Sequence, residues 1–249
     1  MPYDPLDLAR RTEKIVVKED LRKYYRVARG GRWYGGIASA DCCGCNLRCA
    51  FCWSGAPRDH PERIGRFYSP EEVFERLTFC AEKFGYRKIR VSGNEPTIGR
   101  EHLLRLLELA DETRYTFILE SNGALIDRDL AKKLSGFEHL HVRVSLKGTN
   151  PEEFSHLTGA IPEGFNLQLR GLGNLVDAGV PCHAAVMVSF SREEDLERLR
   201  QDLAEIDPAL ADVEEEYVIL YPHVVERLRR AGLRPRVTCA TDRKPTKTR

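Results

Sequence analysis

Residues 36–52 read GIASADCCGCNLRCAFC, a short apolar segment that runs into a loop rich in cysteine. Within this loop, Cys45, Cys49 and Cys52 are spaced C-x3-C-x2-C, and an aromatic residue directly precedes the last of them. Thiolates are the usual ligands of iron–sulfur clusters. Three closely spaced cysteines can hold three corners of a 4Fe–4S cube and leave the fourth iron open to a group that is not protein.

Other interpretations of these cysteines fit the spacing less well. Cys42 and Cys45, and then Cys49 and Cys52, form two CxxC pairs, but only three residues separate the pairs. Zinc ribbons usually need a loop of about 15–20 residues between them. A bacterial ferredoxin run has a different spacing and a following proline, whereas Trp53 follows here. Five cysteines within eleven residues also disfavour buried thiols that bind nothing.

Length and composition are those of an ordinary globular protein. The 249 residues suffice for one sizeable domain or two small ones, with 42% hydrophobic and 31% charged residues. No run of about 18 apolar residues is present, and the N-terminus lacks a charged start followed by an apolar stretch. We therefore expect a cytoplasmic protein without membrane contact, in which cysteines are metal ligands or buried thiols rather than disulfides.

The net charge of +1 is unevenly distributed. Residues 227–249 hold nine Lys and Arg against one acid, Asp242, and residues 11–33 are also basic. Either end could contact a phosphate-rich partner such as RNA. A solvated surface is the favoured alternative, because aromatic residues are not clearly interleaved with the basic ones of the tail.

After residue 35, short apolar runs alternate with amphipathic stretches. Parallel strands joined by right-handed crossovers are the usual result of such alternation. We predict an α/β fold, a partial (β/α)6 TIM-like barrel with outer helices, and a flat doubly wound sheet as the second choice. The predicted core, 35–232, lies between an N-terminal extension, 1–34, and a basic tail, 233–249. The six candidate strands are 36–41, 88–92, 115–120, 139–146, 182–188 and 217–221.

Capping signals mark three of the predicted helices. Ser69, Asn150 and Ser191 each precede a Glu by three residues, as N-cap residues do. The first of these helices should run to about Phe84 and end at Gly85. Further helices are predicted at 101–110, 127–134, 167–178 and 224–230.

The cysteine spacing resembles the signature of the radical S-adenosylmethionine (SAM) superfamily. Ser92-Gly93-Asn94-Glu95-Pro96, at the end of the second strand, is similar to the family's GGEP segment, with Asn94 in place of the second glycine. Glu120-Ser121-Asn122-Gly123, at the end of the third strand, lies where the family holds the ribose. The resemblance implies that SAM fills the open iron position and is cleaved to methionine and a 5′-deoxyadenosyl radical, which takes hydrogen from a substrate.

The resemblance also implies roles for individual residues. Cys45, Cys49 and Cys52 would bind the cluster, and Phe51 would pack beside the cluster or the adenine. Plain turns are the alternative for the two strand-end segments. The SAM-binding residues are predicted as follows: Gly93, Asn94, Glu95 and Pro96 for the amino group, and Glu120 and Asn122 for the ribose.

Strand alternation adds a candidate for the SAM carboxylate. Arg143, Ser145 and Lys147 should point to one face of the fourth strand, and a cation there suits a carboxylate. Ser145 or Lys147 is therefore a candidate, although a lysine that reaches solvent fits equally. No side chain is assigned a catalytic role.

Substrate predictions rest on weaker resemblances. Ser145-Leu146-Lys147-Gly148 and Leu157-Thr158-Gly159 are similar to segments of pyruvate formate-lyase activating enzymes. That likeness implies hydrogen abstraction from a glycyl-radical protein, with an electron donor of the flavodoxin or ferredoxin type. Phe51-Cys52-Trp53 resembles wyosine-base synthases, so modification of tRNA or a small molecule is the alternative. A cluster-containing electron-transfer or binding module is the non-enzymatic alternative.

Overall fold

A mostly parallel sheet forms the centre of the protein. The computed structural model describes residues 1–239 and the backbone of residues 245–247. Its strands are β1 (Val17–Lys18), β2 (Leu21–Gly31), β3 (Ile37–Cys42), β4 (Arg66–Tyr68), β5 (Lys88–Ser92), β6 (Thr116–Ser121), β7 (Leu140–Leu146), β8 (Cys182–Met187), β9 (Glu214–Glu216), β10 (Val237–Cys239) and β11 (Pro245–Lys247). β10 and β11 form a separate antiparallel pair.

Helices lie between most of the strands. They are α1 (Pro5–Val16), α2 (Gly55–Asp59), α3 (Pro70–Phe84), α4 (Arg100–Asp111), α5 (Arg128–Leu134), α6 (Pro151–Thr158), α7 (Glu163–Asp177), α8 (Glu193–Ile206) and α9 (Pro222–Arg230), with 3₁₀ turns at Trp33–Gly35, Pro96–Ile98 and Pro208–Ala211. Among the helices described, none combines the length and the apolar character needed to cross a membrane.

The order of the strands identifies the architecture. β3, β5, β6, β7, β8 and β9 are parallel neighbours in chain order, and β2 is antiparallel to β3. A doubly wound sheet would reverse its strand order at a switch point, and none occurs in this series. β1 and β9 lie at opposite ends of the sheet, which is therefore not closed over the described residues. The predicted partial barrel is confirmed.

The two faces of the sheet differ sharply. Ala40, Val91, Leu119 and Val144 belong to the buried apolar core. Most of the residues that alternate with them in these strands are polar, with Ile118 as an exception, and many hydrogen-bond to one another. This second face is the inner face, and it is defined by its side chains: Ser39, Asp41, Arg90, Ser92, Glu120, Arg143, Ser145, Glu214 and Glu216.

Five of the six predicted strands match the structure closely, but the sixth is wrong. The apolar run 217–221 is not a strand, and Ile219 makes only an isolated bridge with Cys239. The last parallel strand is β9, immediately before it. Arg143 explains the difference, because it binds the carboxylates of Glu214 and Glu216 and favours this acidic segment in the ladder.

The capping predictions are confirmed in two cases and wrong in the third. Ser69 Oγ accepts a hydrogen bond from the Glu72 N–H at 3.2 Å, and Gly85 ends α3 in the left-handed region at φ +68°. Asn150 caps α6. Ser191 does not cap α8, because its hydroxyl instead donates to the Glu153 carboxylate at 2.9–3.0 Å.

Both ends of the chain contribute ordered structure. Residues 1–34, predicted as an extension, form α1, β1 and β2 and begin the first 3₁₀ turn. α1 was not predicted, although Asp4 caps it and Pro5 opens it. Residues 240–244 and 248–249 of the predicted basic tail lie outside the described residues.

Candidate functional site

The cysteine loop follows β3 at the carboxyl edge of the sheet, where parallel α/β folds place their sites. Distant segments hold its backbone. The Ala50 N–H donates to the Leu157 carbonyl at 2.9 Å, and the Gly44 N–H donates to the Pro57 carbonyl at 3.0 Å. The path of the loop is therefore fixed by contacts with both α2 and α6.

Two arginines bind the carbonyls of the cysteine loop. Arg58 donates to the Cys49 carbonyl, and its guanidinium is held by Asp59 at 2.7 Å. Arg227, on α9, donates to the Ala50 carbonyl at 3.2 Å and also to the Cys52 carbonyl. Positive charge beside the loop favours anionic sulfur ligands.

The environment of the three thiols suits metal ligation. Cys49 is buried, Cys45 and Cys52 are partly buried, and the Leu47 N–H donates to Cys45 Sγ at 3.3 Å. Burial raises the pKa of Cys49 to about 11, although Lys147 opposes the shift. The pKa of Cys45 is also raised, mainly by burial and to a smaller extent by the negative charge of Glu95. Such thiols keep their protons until a metal displaces them.

The three thiols are the ligand type that iron–sulfur clusters use. In residues 1–239, no three His, Cys, Asp or Glu side chains converge as ligands of one metal ion would. In a 4Fe–4S cube, each thiolate binds a different iron, so Cys45, Cys49 and Cys52 need not point at one centre. The donor set fits the cluster.

Gly93 brings the end of β5 against the end of β3. Its φ is +98°, and a Cβ there would lie 2.9 Å from Asp41 Cα and from the Cys42 nitrogen. The next side chain, Asn94, donates to the Cys42 carbonyl at 3.0 Å. Asn94 Oδ1 is buried and has no hydrogen-bond partner among the described residues. A polar ligand at this turn would find an acceptor there.

Glu95 joins the ends of β5 and β6. Its carboxylate is 1% exposed and accepts hydrogen bonds from the Thr97 hydroxyl at 2.6 Å and the Ser121 hydroxyl at 2.8 Å. It also accepts from the Asn122 N–H at 2.8 Å. Pro96, which follows, is buried and starts the short 3₁₀ turn. The Glu95 side chain therefore positions neighbouring backbone, and its oxygens are occupied by protein donors.

Asn122 connects the end of β6 to the cysteine loop. Its Nδ2 donates to Asn46 Oδ1 at 2.7 Å, and its Oδ1 accepts from the Ala124 N–H at 3.1 Å. Asn46 is fully buried, and its own Nδ2 is without a partner in the part of the chain described. Asn46 and Asn94 thus supply a buried donor and a buried acceptor next to the cysteine loop, and such groups suit a polar cofactor such as SAM.

Glu120 lies on the inner face and is bound on several sides by protein groups. It accepts from Arg90 at 2.5 Å, from Ser92 at 2.5 Å and from the Tyr34 hydroxyl at 2.8 Å. Although burial opposes the shift, Arg90 and Arg143 lower the pKa of Glu120. The predicted ribose-binding residue is therefore already an ionised member of a hydrogen-bonded network.

The predicted common face of Arg143, Ser145 and Lys147 is confirmed. All three reach Glu216 on β9: Arg143 at 3.0 Å, Lys147 at 3.7 Å and Ser145 through a hydrogen bond. Lys147 Nζ also donates to Ser145 Oγ at 2.5 Å. Burial opposes ionisation of Glu216, but Arg143 and Lys147 lower its pKa to about 2. The candidate carboxylate-binding groups thus already contact a carboxylate.

Phe51 and Arg22 complete the surroundings of the loop. Phe51 is nearly buried, and its ring centroid lies 6.0 Å from that of Phe190. Arg22, on β2, is 1% exposed and donates to the Cys43 carbonyl at 2.6 Å and the Glu95 carbonyl at 3.2 Å. It links the cysteine loop to the β5 turn, a role that its place in a basic segment did not reveal.

The sequence interpretation also missed most of the charged inner face. Arg29 binds Asp41 at 2.6 and 3.0 Å, and Arg143 binds Glu214 at 2.8 and 2.9 Å. Part of the signal was present in the strands, because Ser39 and Asp41 in β3 and every second residue of β5 and β7 are polar. Reading that alternation as a polar face would have predicted Asp41 and Arg143, but not Arg29 on β2 or Glu214 on β9.

Comparisons with known proteins give the family to which the chain belongs. The family model described as the radical SAM superfamily matches residues 41–203. A probable GTP 3′,8-cyclase of Methanosarcina acetivorans is 34% identical over 139 residues, which cover 55% of this chain and 40% of the relative. Fe-coproporphyrin III synthase of Methanosarcina barkeri is 33% identical over 175 residues, which cover 69% of this chain and 39% of the relative. The matches thus span only about two fifths of these relatives.

A solved structure supports the fold. Streptococcus suis SuiB bound to S-adenosylmethionine superposes with a TM-score of 0.54 at 19% identity, covering 76% of this chain and 44% of that one. The chain belongs to the radical SAM superfamily. The residues that the family model matches thus form a radical SAM domain, the class of domain that uses a 4Fe–4S cluster and SAM.

Proposed function

We propose that Cys45, Cys49 and Cys52 bind the cluster and that SAM occupies the adjoining strand ends. The observation that carries the proposal is the convergence of three segments. Asn122 at the end of β6 reaches Asn46 in the cysteine loop at 2.7 Å, and the Glu95 N–H donates to the Gly44 carbonyl at 3.1 Å. The loop and the two turns therefore form one unit.

The strand-end residues then have distinct tasks. Gly93 lets the backbone approach, and Asn94 presents an acceptor for the SAM amino group together with backbone carbonyls. Glu95 and Pro96 hold this turn in shape. Asn122 orients Asn46, while Glu120 supports the ribose side through its network.

Ser145 lies at the end of β7, and Lys147 directly follows this strand. The charge of Lys147 acts on Cys49, and its Nζ lies 3.7 Å from Glu216. A SAM carboxylate can share this cation with Glu216. Phe51 packs beside the cofactors and keeps water away. The cofactors supply the radical chemistry, which is one-electron cleavage of SAM and hydrogen abstraction.

The relatives favour a small-molecule substrate. The names of these two relatives, probable GTP 3′,8-cyclase and Fe-coproporphyrin III synthase, both refer to small-molecule chemistry. These names support a small-molecule substrate over the glycine of a protein. Neither name refers to modification of a nucleic acid. We therefore propose that the enzyme modifies a small organic molecule and receives its electron from a flavodoxin or ferredoxin.

The test combines iron content with SAM cleavage. Under anoxic conditions, the reconstituted protein with SAM and dithionite should form 5′-deoxyadenosine. Cys49→Ala should lose most of the iron and all of the product. Cys80→Ala is the matched control, because Cys80 is a buried thiol on α3 with no place in the cysteine loop. Iron retained by Cys49→Ala, or no product from a fully loaded wild type, would refute the proposal.

A further inference from the structure

Most charges on the inner face are balanced locally. Arg90 pairs with Glu120 at 2.5 Å. On the neighbouring strands, Arg143 and Lys147 face two carboxylates, those of Glu214 and Glu216. In these two groups, each described cation is matched by a carboxylate. A substrate charge would gain little there without displacing an existing pair.

Asp41 is the exception, because two guanidinium groups share its single carboxylate. Arg29 binds it with two hydrogen bonds, at 2.6 and 3.0 Å. Arg26 Nε lies 2.8 Å from the same carboxylate. The Asp41 side chain is 0% exposed, whereas those of Arg26 and Arg29 are 44% and 28% exposed. The two guanidinium groups therefore carry one more positive charge than Asp41 neutralises, and their side chains are partly exposed although Asp41 is buried.

Aromatic rings hold the second guanidinium. The Arg26 guanidinium lies 5.4 Å from the ring centroid of Trp53 and 5.0 Å from that of Tyr25. Tyr25 is in turn fixed by Ser54, whose hydroxyl donates to the Tyr25 hydroxyl at 2.7 Å. A guanidinium stacked in this way loses little conformational freedom when it binds an anion.

This cation pair adjoins the proposed SAM site. Asp41 is paired in register with Ser92, and its Cα would lie only 2.9 Å from a Cβ on Gly93. Trp53 directly follows Cys52. A group bound by Arg26 and Arg29 would therefore lie beside the cofactors, as a substrate must.

We propose that Arg26 and Arg29, anchored on Asp41, bind a phosphate or carboxylate group of the substrate. The inference rests on the proposed function and names the substrate class for the same site. Paired guanidinium groups are suited to either anion through forked hydrogen bonds. The pairs Arg90–Glu120 and Arg143–Glu214 then stabilise neighbouring strands of the barrel. The excess positive charge of Arg26 and Arg29 is what binds the anionic group of the substrate.

The test is equilibrium dialysis of the SAM-loaded holoenzyme under anoxic conditions. The probes are inorganic triphosphate, GTP and coproporphyrin III. At least one of them should bind saturably. Binding of triphosphate or GTP identifies a phosphate, and binding of coproporphyrin III alone identifies a carboxylate.

The variants decide whether Arg26 is responsible. Arg26→Gln should weaken binding by about tenfold or more, since a charge-assisted hydrogen bond is lost. Arg26→Lys keeps the charge but loses the forked pair of donors, so its affinity should lie between those of Arg26→Gln and the wild type. It replaces Arg26→Gln in the test if that variant does not fold. Arg198→Gln, at an arginine whose side chain is 74% exposed on α8, should bind like the wild type.

The outcomes separate this inference from the proposed function. Saturable binding of none of the three probes, or wild-type affinity in both Arg26→Gln and Arg26→Lys, would overturn the inference. SAM cleavage by the wild type without any probe is measured in parallel. If cleavage is intact and no probe binds, only the anion site is wrong; if the loaded enzyme does not cleave SAM, the proposed function itself fails.

Discussion

The Glu95 carboxylate accepts a hydrogen bond from the backbone N–H of Asn122 at 2.8 Å and so joins the ends of β5 and β6. Glu95 is 1% exposed and lies within the strand-end region proposed for SAM. The geometry of that region therefore depends on a charge that has almost no contact with solvent.

Removing this carboxylate should be costly. Glu95→Ala leaves the hydroxyls of Thr97 and Ser121 and the Asn122 N–H without their acceptor, so we expect the free energy of unfolding to fall by about 3 kcal/mol or more. Denaturant unfolding of the apoprotein measures this loss. Glu71→Ala, at an exposed acid on α3, should change the stability little, and an equally small effect at Glu95 would contradict the joining role of its carboxylate.

The Arg227 clamp should govern how firmly iron is held. Arg227→Met removes the donors to the Ala50 and Cys52 carbonyls, and the loosened loop should release iron to a chelator several-fold faster. Arg230→Met is the control on the same helix, because that side chain is 71% exposed and pairs with Glu226. Equal release rates for the two variants would show that the contact from α9 does not hold the loop.

Acid should remove the stability contributed by Glu216. The pKa of this carboxyl is held at about 2 in the folded protein, below its ordinary value of 4.5, because Arg143 and Lys147 outweigh the effect of burial. Between pH 4.5 and about 2, Glu216 is protonated in the unfolded chain but still ionised in the folded protein. Its contribution to the free energy of unfolding is therefore complete above a pH of about 4.5 and is lost as the pH falls toward about 2.

Unfolding measured between pH 6 and about 2.5 tests this prediction. Glu216→Gln should show a smaller acid-dependent loss than the wild type, because the Gln cannot titrate. Glu226→Gln is the control. Its carboxyl pairs with Arg229 and Arg230 on the exposed side of α9, where solvent screens the pairs, so this substitution should leave the acid profile close to that of the wild type. Identical acid profiles for wild type and Glu216→Gln would contradict the prediction.

Alanine substitutions at two glycines with positive φ distinguish the cost of an unfavourable backbone conformation from the cost of a steric clash. Gly85 has φ +68°, and a Cβ added there would meet no atom within 4 Å, so Gly85→Ala should cost only about 1 kcal/mol. Gly93→Ala adds a collision with the backbone of Asp41 at 2.9 Å and should destabilise more. It should also weaken SAM binding, measured by calorimetry on the loaded protein. Unchanged SAM affinity in a folded Gly93→Ala variant would argue against the turn as the SAM site.

The sequence predicted what depends on local patterns. Ser69 and Gly85 bound α3 as expected, because capping and left-handed termination are written in neighbouring residues. β5 was predicted over 88–92, and the structure has the strand at the same residues, directly before Gly93. Ser191 shows the limit of such signals, since Glu153, 38 positions away, takes its hydroxyl and no local rule contains that competitor.

The remainder of the site depends on long-range contacts. Arg22 and Arg227 both bind the cysteine loop, yet neither lies near it in sequence nor belongs to a motif. The strand at Glu214–Glu216 was overlooked for the same reason, because three acids are poor strand formers until Arg143 binds two of them. Which of many arginines is buried follows only from the packed structure.

The position of the α9 clamp in the chain has a consequence for biosynthesis. Arg227 is translated 175 residues after Cys52, to which it donates. At ordinary rates of synthesis, the cysteine loop therefore leaves the ribosome roughly ten to thirty seconds before its clamp exists. The backbone of the loop therefore acquires its Arg227 donor only after α9 has been synthesised, so the final path of the loop depends on a residue near the other end of the described chain.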